Sequence, residues 1–338
     1  MRQQTAHSIA ILFTAIAAVL SATGATAEQS FGSQDLLNSC WTSEQLKGNA
    51  RDKTVYLRNV PAYTPPAGTL PLRSAEPLAP NLRNSIRHVK PFHGQKVVAL
   101  TFDLCERARE TTGYDAELVN CLREHKVKAT FFAGGKWMRS HPEKTMQLMA
   151  DPLFEIGNHA WTHGNLRVLK GDGMLRQILW TQRQYEILRD ELVRKPCAQK
   201  IAVRELDKIP KSMRLFRFPY GACSPESLQA LASLGLAAIQ WDIVTGDPSL
   251  NQTAEGIYQY VMSTIKPGSI IVGHANGRGH GTARAVAMII QELHRKGYAF
   301  VTVSELLGLG DAVATQECYE NKPGDNAFYD TTVGAGTN

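Results

Sequence analysis

The run Glu155-Ile-Gly-Asn-His159-Ala-Trp-Thr-His163 sets two imidazoles four residues apart, directly after a short apolar segment that begins at Phe154. Residues i and i+4 on one helical turn or a tight turn share a side, and neutral imidazole is the commonest protein ligand for zinc and similar divalent metals. Two ligands do not complete a site, because a catalytic metal usually has three protein ligands and an open position. Taken alone, the pair reads more readily as two polar loop residues. Its surroundings reverse that reading.

Working outward, short apolar runs alternate with amphipathic segments from Lys96 on. The runs Val97–Phe102, Ala129–Ala133, Phe154–Gly157, Leu215–Phe218, Ala237–Trp241, Ser269–Gly273 and Ala299–Val303 predict strands. Between them, Tyr114–His125, Pro142–Ala150, Met174–Val193, Pro225–Leu234, Ala254–Ile265 and Thr282–Lys296 predict helices. Short apolar strands separated by helices imply a parallel sheet buried on both faces. Seven such units suit an α/β barrel slightly smaller than an eight-unit one. Local signals agree: Ser224-Pro225-Glu226 supplies an N-cap, a first-turn proline and an acidic first turn, and Gly297 follows Lys296 as a stop.

In such barrels the catalytic groups sit where strands end, on the face built by the βα loops. Asp103 ends the first strand, and His159 and His163 follow the third. Arg217 and Tyr220 close the fourth, Trp241 and Asp242 end the fifth, and His274 follows the sixth. Each residue has an ordinary structural reading by itself; their shared position points to one site.

The flanks read differently. Residues 1–27 carry Arg2, an apolar core from Ile9 to Leu20 and small residues ending Ala25-Thr26-Ala27, the pattern of a signal peptide. That core is too short to span a bilayer, and no later stretch reaches the length of a transmembrane segment. The expected localisation is therefore exported, periplasmic or secreted. Residues 28–95, with Pro61, Pro65, Pro66, Pro71, Pro77 and Pro80, read as an extended arm that wraps or tethers the barrel of residues 96–307, with 308–338 a C-terminal tail. The formal charge of +6 is scattered rather than striped, which argues against a nucleic-acid partner. Six cysteines and no Cys-x-x-Cys pair favour disulfides over a cysteine zinc site; Cys40 is placed to pin the arm, and a Cys105–Cys223 bridge would brace the loops of Asp103 and Tyr220.

The segments Thr101-Phe-Asp103, His159-Ala-Trp-Thr-His163, Arg217-Phe-Pro-Tyr220-Gly221, Trp241 through Asp247 and Val272-Gly-His274 resemble, in order, the five motifs of the polysaccharide deacetylase family, the NodB-homology or carbohydrate esterase family 4 enzymes. The closing Lys296-to-Leu306 segment is similar to that family's last strand and helix. The resemblance implies a distorted (β/α)7 barrel and a metal-dependent hydrolase that removes acetyl groups from N-acetylated or O-acetylated sugars of a chitin-like glycan, peptidoglycan or another polysaccharide.

The residues make chemical sense of that reaction, which needs an activated water, a stabilised oxyanion and a proton for the departing amine. A divalent cation, zinc for preference, on His159 and His163 would polarise the carbonyl and activate the water. Asp103 would serve as base, held and kept ionised by Arg217. His274 would serve as acid, oriented by Asp242 or Asp247, with the Tyr220 N–H at the oxyanion and Trp241 as the apolar wall beside the acetyl methyl. Two departures stand out. Leu104 occupies the position of the family's second aspartate, a metal ligand, which leaves Asp103, Glu106 or water alone to complete the coordination; water is the favoured choice, so Leu104→Asp is expected to tighten binding. Val244 and Asp247-Pro248 replace the usual acidic and Asp-Trp positions of the fourth motif. The alternative is a barrel that has lost its metal and binds glycans without cleaving them; a different metal-dependent amidase on the same barrel is a third reading.

Overall fold

The structure, a computed structural model, describes residues 31–57, 64–68 and 77–336. The segment read as a signal peptide lies outside these residues, as do Pro61 and Pro71 of the arm. Ten strands carry the architecture: β1 (Ser85–Pro91), β2 (Val97–Leu104), β3 (Ala129–Ala133), β4 (Phe154–Asn158), β5 (Leu215–Phe216), β6 (Ala237–Ala238), β7 (Ile243–Val244), β8 (Ile270–His274), β9 (Ala299–Phe300) and β10 (Gly310–Thr315).

Every residue of β2, β3 and β4 is buried. That is what a strand of Val, Ala, Leu, Thr and Phe demands when both faces are covered. These strands pair in parallel in the order β6-β5-β4-β3-β2-β8-β7, and β9 lies along the first two residues of β2. The two edges of the sheet, β6 and β7, belong to one continuous segment, Ala237–Val244. This segment leaves β5 and joins β8, so the sheet curls back on itself as the distorted barrel expected from the resemblance.

Helices clothe the outside. Ala116–Glu124 (α1), Pro142–Ala150 (α2), Gly171–Arg194 (α3), Pro225–Ser233 (α4), Ala254–Thr264 (α5) and Thr282–Arg295 (α6) match the amphipathic segments to within a few residues. Their starts are chemical. Ser224 Oγ accepts from Ser227 N before Pro225, and Thr253 caps Gly256 N. In α6, Ala285, Val286, Ile289, Ile290 and Leu293 fall on one face and are buried against the sheet.

The flanks depart from expectation. β1 is not a tether but a stave in the gap between β6 and β8. Ile86 bridges Ile239 in parallel while Gln240 N donates to Ile86 O at 2.8 Å, and His88 bridges Ser269 in antiparallel. β10, placed in the tail by the sequence, runs antiparallel along β1. The limits of 96 and 307 are therefore too tight: β1 and β10 belong to the barrel wall. The register between them slips so that His88 and Ile86 face the adjacent Val313 and Ala314, leaving Arg87 as an extra residue. That bulge explains how Ile86 and Val89, three apart, are both buried, a spacing that hides a strand from a period-two reading. Farther upstream, Leu36, Leu37 and Trp41 enter the main core, and Cys40 is bonded to Cys197 across 157 residues. The second bond joins Cys223 to Cys318, which excludes the expected Cys105–Cys223 bridge; Cys105 and Cys121 are free.

Where β1 meets the loop before β8, Gly268 has a φ of +83°, and a Cβ there would lie 1.9 Å from Val89 O. Gly94 has a φ of +67° but open space around it. Gly268→Ala is expected to cost at least about 2 kcal/mol, against about 1 kcal/mol for Gly94→Ala, in urea denaturation. Equal effects would show that the close approach of β1 contributes nothing beyond the backbone angle.

Candidate functional site

The C-terminal ends of the strands converge on a cavity of about 500 Å³. Asp103, next to last in β2, pairs with His274, the last residue of β8, so the two side chains start from neighbouring strands. Arg217 follows β5 directly and is fully buried. Its Nη1 donates to Asp103 Oδ1 at 3.0 Å, Nε to Ile239 O at 3.3 Å and Nη2 to Gln240 O at 3.2 Å. Its guanidinium lies 4.0 Å over the Phe132 ring and 5.4 Å from Trp241. One cation thus orients Asp103, holds the strand-closing segment and stacks on the pocket wall.

The loop after β4 is moulded by amides. Asn158 Oδ1 accepts from Ala160 N at 3.0 Å, while Gln177 Oε1 accepts from Thr162 N at 2.9 Å and Gly164 N at 3.2 Å. These contacts hold Ala160 at φ 61° and His163 at φ 57°, a strained path for residues with a Cβ and one that brings His163 back beside His159. His159 Nδ1 contacts Arg217 O at 2.9 Å; a carbonyl only accepts, so Nδ1 carries the hydrogen and Nε2 offers a lone pair. That Nε2 is buried without a hydrogen-bond partner. Burial lowers the pKa of His159 despite Asp103 nearby; burial, together with the adjacent His159, drives His163 well below the ordinary value. Both rings are neutral, the form that binds metals.

His274 Nδ1 lies 2.8 Å from Asp247 Oδ1, and Asp247 Oδ2 accepts from His274 N and Thr282 Oγ1, both at 2.7 Å. Burial disfavours the charged ring, but the Asp247 carboxylate and its hydrogen bond outweigh this and raise the His274 pKa above its usual value. Burial likewise disfavours the Asp247 anion, yet His274 and Thr282 hold its pKa below the usual carboxylate range. Asp242 does not share this role. Its carboxylate accepts from Ser269 Oγ and Ile270 N at the opening of β8, one strand length from His274.

Glu106 is also elsewhere: buried, ion-paired to Lys136, and accepting from Ser140 Oγ at 2.7 Å and Thr112 N at 3.0 Å. Leu104 turns into the core. Cys105, one residue farther, faces the cavity as Asp103 does, because alternate residues of an extended chain share a face. Its Sγ and one ring nitrogen each of His159 and His163 lie within 4.8 Å of one another. Three convergent donors, one of them an orphaned buried nitrogen, fit a divalent metal. Burial, then the Asp103 and Glu110 carboxylates, push the Cys105 thiol up to about 12, so without a cation the sulfur stays protonated and inert as a nucleophile.

Around Tyr220 and Trp241, which the sequence had named, the rim includes residues that it had not. Tyr220, at φ 60°, sets its ring edge-on to His163 with centroids 4.4 Å apart and meets Tyr329 of the tail at 5.1 Å. Trp241 Nε1 donates to Glu320 O at 3.1 Å, and buried Arg87 donates to Glu320 O at 2.7 Å and to Tyr319 O. Asn326 Nδ2 donates to Tyr220 O at 3.0 Å. The tail therefore forms one wall of the mouth, anchored by the Cys223–Cys318 bond. Opposite, Glu110 pairs with both Arg107 and Arg278.

Comparison with known proteins agrees with this geometry. The family profile described as polysaccharide deacetylase matches residues 91–239. A peptidoglycan-N-acetylglucosamine deacetylase from Bacillus cereus is 31% identical, with 62% of this chain and 67% of that protein covered. A chitooligosaccharide deacetylase from Sinorhizobium fredii is 29% identical, with 61% and 89% covered. The structure of a carbohydrate esterase family 4 pseudoenzyme from Bacillus anthracis is 25% identical with a TM-score of 0.54, covering 68% of this chain and 70% of that one. The chain belongs to the polysaccharide deacetylase family, a family of hydrolases with metal-dependent members.

Arg217→Met is expected to destabilise the fold by about 3–5 kcal/mol, since it strands Asp103 as an uncompensated buried charge. Adding Asp103→Asn should recover part of that loss in a double-mutant cycle read by urea denaturation. Strict additivity of the two changes would show that the pair is not coupled.

Proposed function

We propose that this chain is an exported metal-dependent hydrolase that removes the acetyl group from N-acetylated, or alternatively O-acetylated, sugars of peptidoglycan or a chitin-like polysaccharide. The observation that carries the reading is the meeting, at one barrel mouth, of an arginine-held Asp103, an aspartate-held His274 and two neutral imidazoles, one with an orphaned buried nitrogen. The names of the related proteins support the substrate class. Two disulfides favour an oxidising compartment, and no helix among the described residues is long and apolar enough to cross a membrane.

His159 and His163, with Cys105 beside them, would hold a divalent cation, which would supply Lewis acidity for the acetyl carbonyl and the attacking water. The chain's own residues do the rest. Asp103 accepts the proton of the attacking water, and Arg217 aims that carboxylate through its hydrogen bond to Oδ1. As the carbon–nitrogen bond breaks, the raised pKa of His274 lets the ring deliver its proton to the departing amine, which becomes the free amino sugar while acetate leaves. The Tyr220 N–H serves the oxyanion, and Trp241 lines the acetyl end of the pocket.

A second reading, glycan binding without cleavage, draws on Leu104 at the family's aspartate position and on the pseudoenzyme among similar structures. The retained base, acid and their positioning partners favour the enzyme.

Acetate release from N-acetylglucosamine oligomers and from peptidoglycan is expected, lost with chelator and restored by zinc. His159→Ala and His163→Ala should each remove both metal and turnover with the circular dichroism spectrum unchanged, whereas His274→Ala should keep the metal and lose turnover. Retained metal in either of the first two variants would defeat the site assignment.

His274 must be protonated to act, so activity falls as pH rises through its pKa, above the ordinary value of about 6.5. Asp247→Asn removes the interaction that raises this pKa and leaves the burial that lowers it. The alkaline limb of kcat/KM should therefore move to lower pH in Asp247→Asn, and an unmoved limb would assign it to another group.

A further inference from the structure

We propose that Cys105 is the third protein ligand of the metal, a thiolate that takes over the charge a second aspartate would bring, so that the centre is two imidazoles and one sulfur. The inference rests on the proposed metal-dependent function and deepens it. Four observations carry it. The three donor atoms lie within 4.8 Å of one another, a spacing that a single ion can span. His159 Nε2, on a side chain only 1% exposed, makes no hydrogen bond, its nearest acidic neighbour being Asp103 Oδ2 at 3.5 Å. Of the carboxylates that sequence reasoning offered, Glu106 is committed to Lys136, Ser140 and Thr112, and Asp103 is held by Arg217 through Oδ1, with Oδ2 3.5 Å from His159 Nε2, outside the cluster of three donors. Leu104, buried in the core, cannot contribute.

The fourth observation is the cradle around the sulfur. Asn276 Nδ2 donates to Cys105 Sγ at 3.1 Å and to Cys105 O at 2.8 Å, while Thr112 Oγ1 donates to the same carbonyl at 2.8 Å. Outer partners of this kind fix a ligand's direction and disperse charge on a thiolate. Cys105 is not disulfide-bonded, although four of the six cysteines are. As the sulfur–metal bond forms, the thiol proton passes to solvent and the ligand set gains one negative charge. A set of two imidazoles and a thiolate selects zinc or cobalt over magnesium, calcium and manganese, which favour oxygen ligands.

Cobalt(II) reports sulfur ligation directly through a thiolate-to-cobalt charge-transfer absorption in the near ultraviolet. The full chain, stripped with chelator and titrated with cobalt(II), is expected to take up one ion with that absorption. Cys105→Ser should lose the absorption and bind about 100-fold or more weakly, beyond the 10- to 100-fold typical of losing an outer partner. Cys105→Asp should keep a stoichiometric ion without the absorption, which separates loss of sulfur from loss of fold. Cys121→Ser, the other free thiol, should match wild type, and Leu104→Asp should bind no more tightly. A Cys105→Ser protein with unchanged affinity and spectrum, alongside His159→Ala and His163→Ala proteins that lose the ion, overturns the sulfur ligand alone. Wild type that binds no ion, or histidine variants that bind as wild type does, overturn the metal-dependent reading itself.

Discussion

A guanidinium with no access to solvent is expensive to bury, and around Arg217 the barrel is arranged so that the charge is answered on every side. Asp103 supplies the counter-charge and accepts one of its five hydrogens, two carbonyls of the strand-closing segment accept two more, and two aromatic rings lie against it. The same residue contributes its own carbonyl to His159, which sets that ring's tautomer. Charge burial, barrel closure and ligand orientation are therefore one arrangement, and a side chain without five donors in a plane could not replace it.

Closure of the sheet makes this arrangement durable. Two-residue strands such as Leu215–Phe216 and Ala237–Ala238 have little pairing of their own. They hold their place because Ser85–Pro91 completes the wall beside them and because the sheet has few open edges. Each covalent bond secures a flank rather than the middle: one ties the upstream segment of Leu36, Leu37 and Trp41 to the turn after α3, and the other ties the tail to the loop after Arg217.

The βα order and the helix ends were legible because their signals are local: period, caps and glycine stops act within a few residues. Asp103, His159, His163, Arg217 and His274 were legible as a set because strand ends of a parallel barrel share a face. Ser85–Pro91 was not, since its buried residues fall three apart across a bulge that only the partner strand reveals. The choice between Asp242 and Asp247 was likewise invisible, because both flank the same two-residue strand and only the fold shows which end of β8 each one meets. Cys105 carried a usable signal, alternation with Asp103, but among six cysteines the pairing explanation competes with it. Only the placement of Cys318 against Cys223 removes that competition.

The wall built by residues 318–336 bears on when the molecule is complete. Asp103, His159, His163, Arg217 and His274 all lie upstream of residue 275, whereas Tyr329, Asn326 and the Glu320 carbonyl that meets Trp241 come from chain synthesised later. Their anchor is a sulfur–sulfur bond that reducing surroundings do not sustain. A chain still inside such surroundings has its reacting groups in position around an unfinished doorway. The shape of the mouth thus depends on oxidation in a way that the strand ends carrying Asp103, His159 and His274 do not.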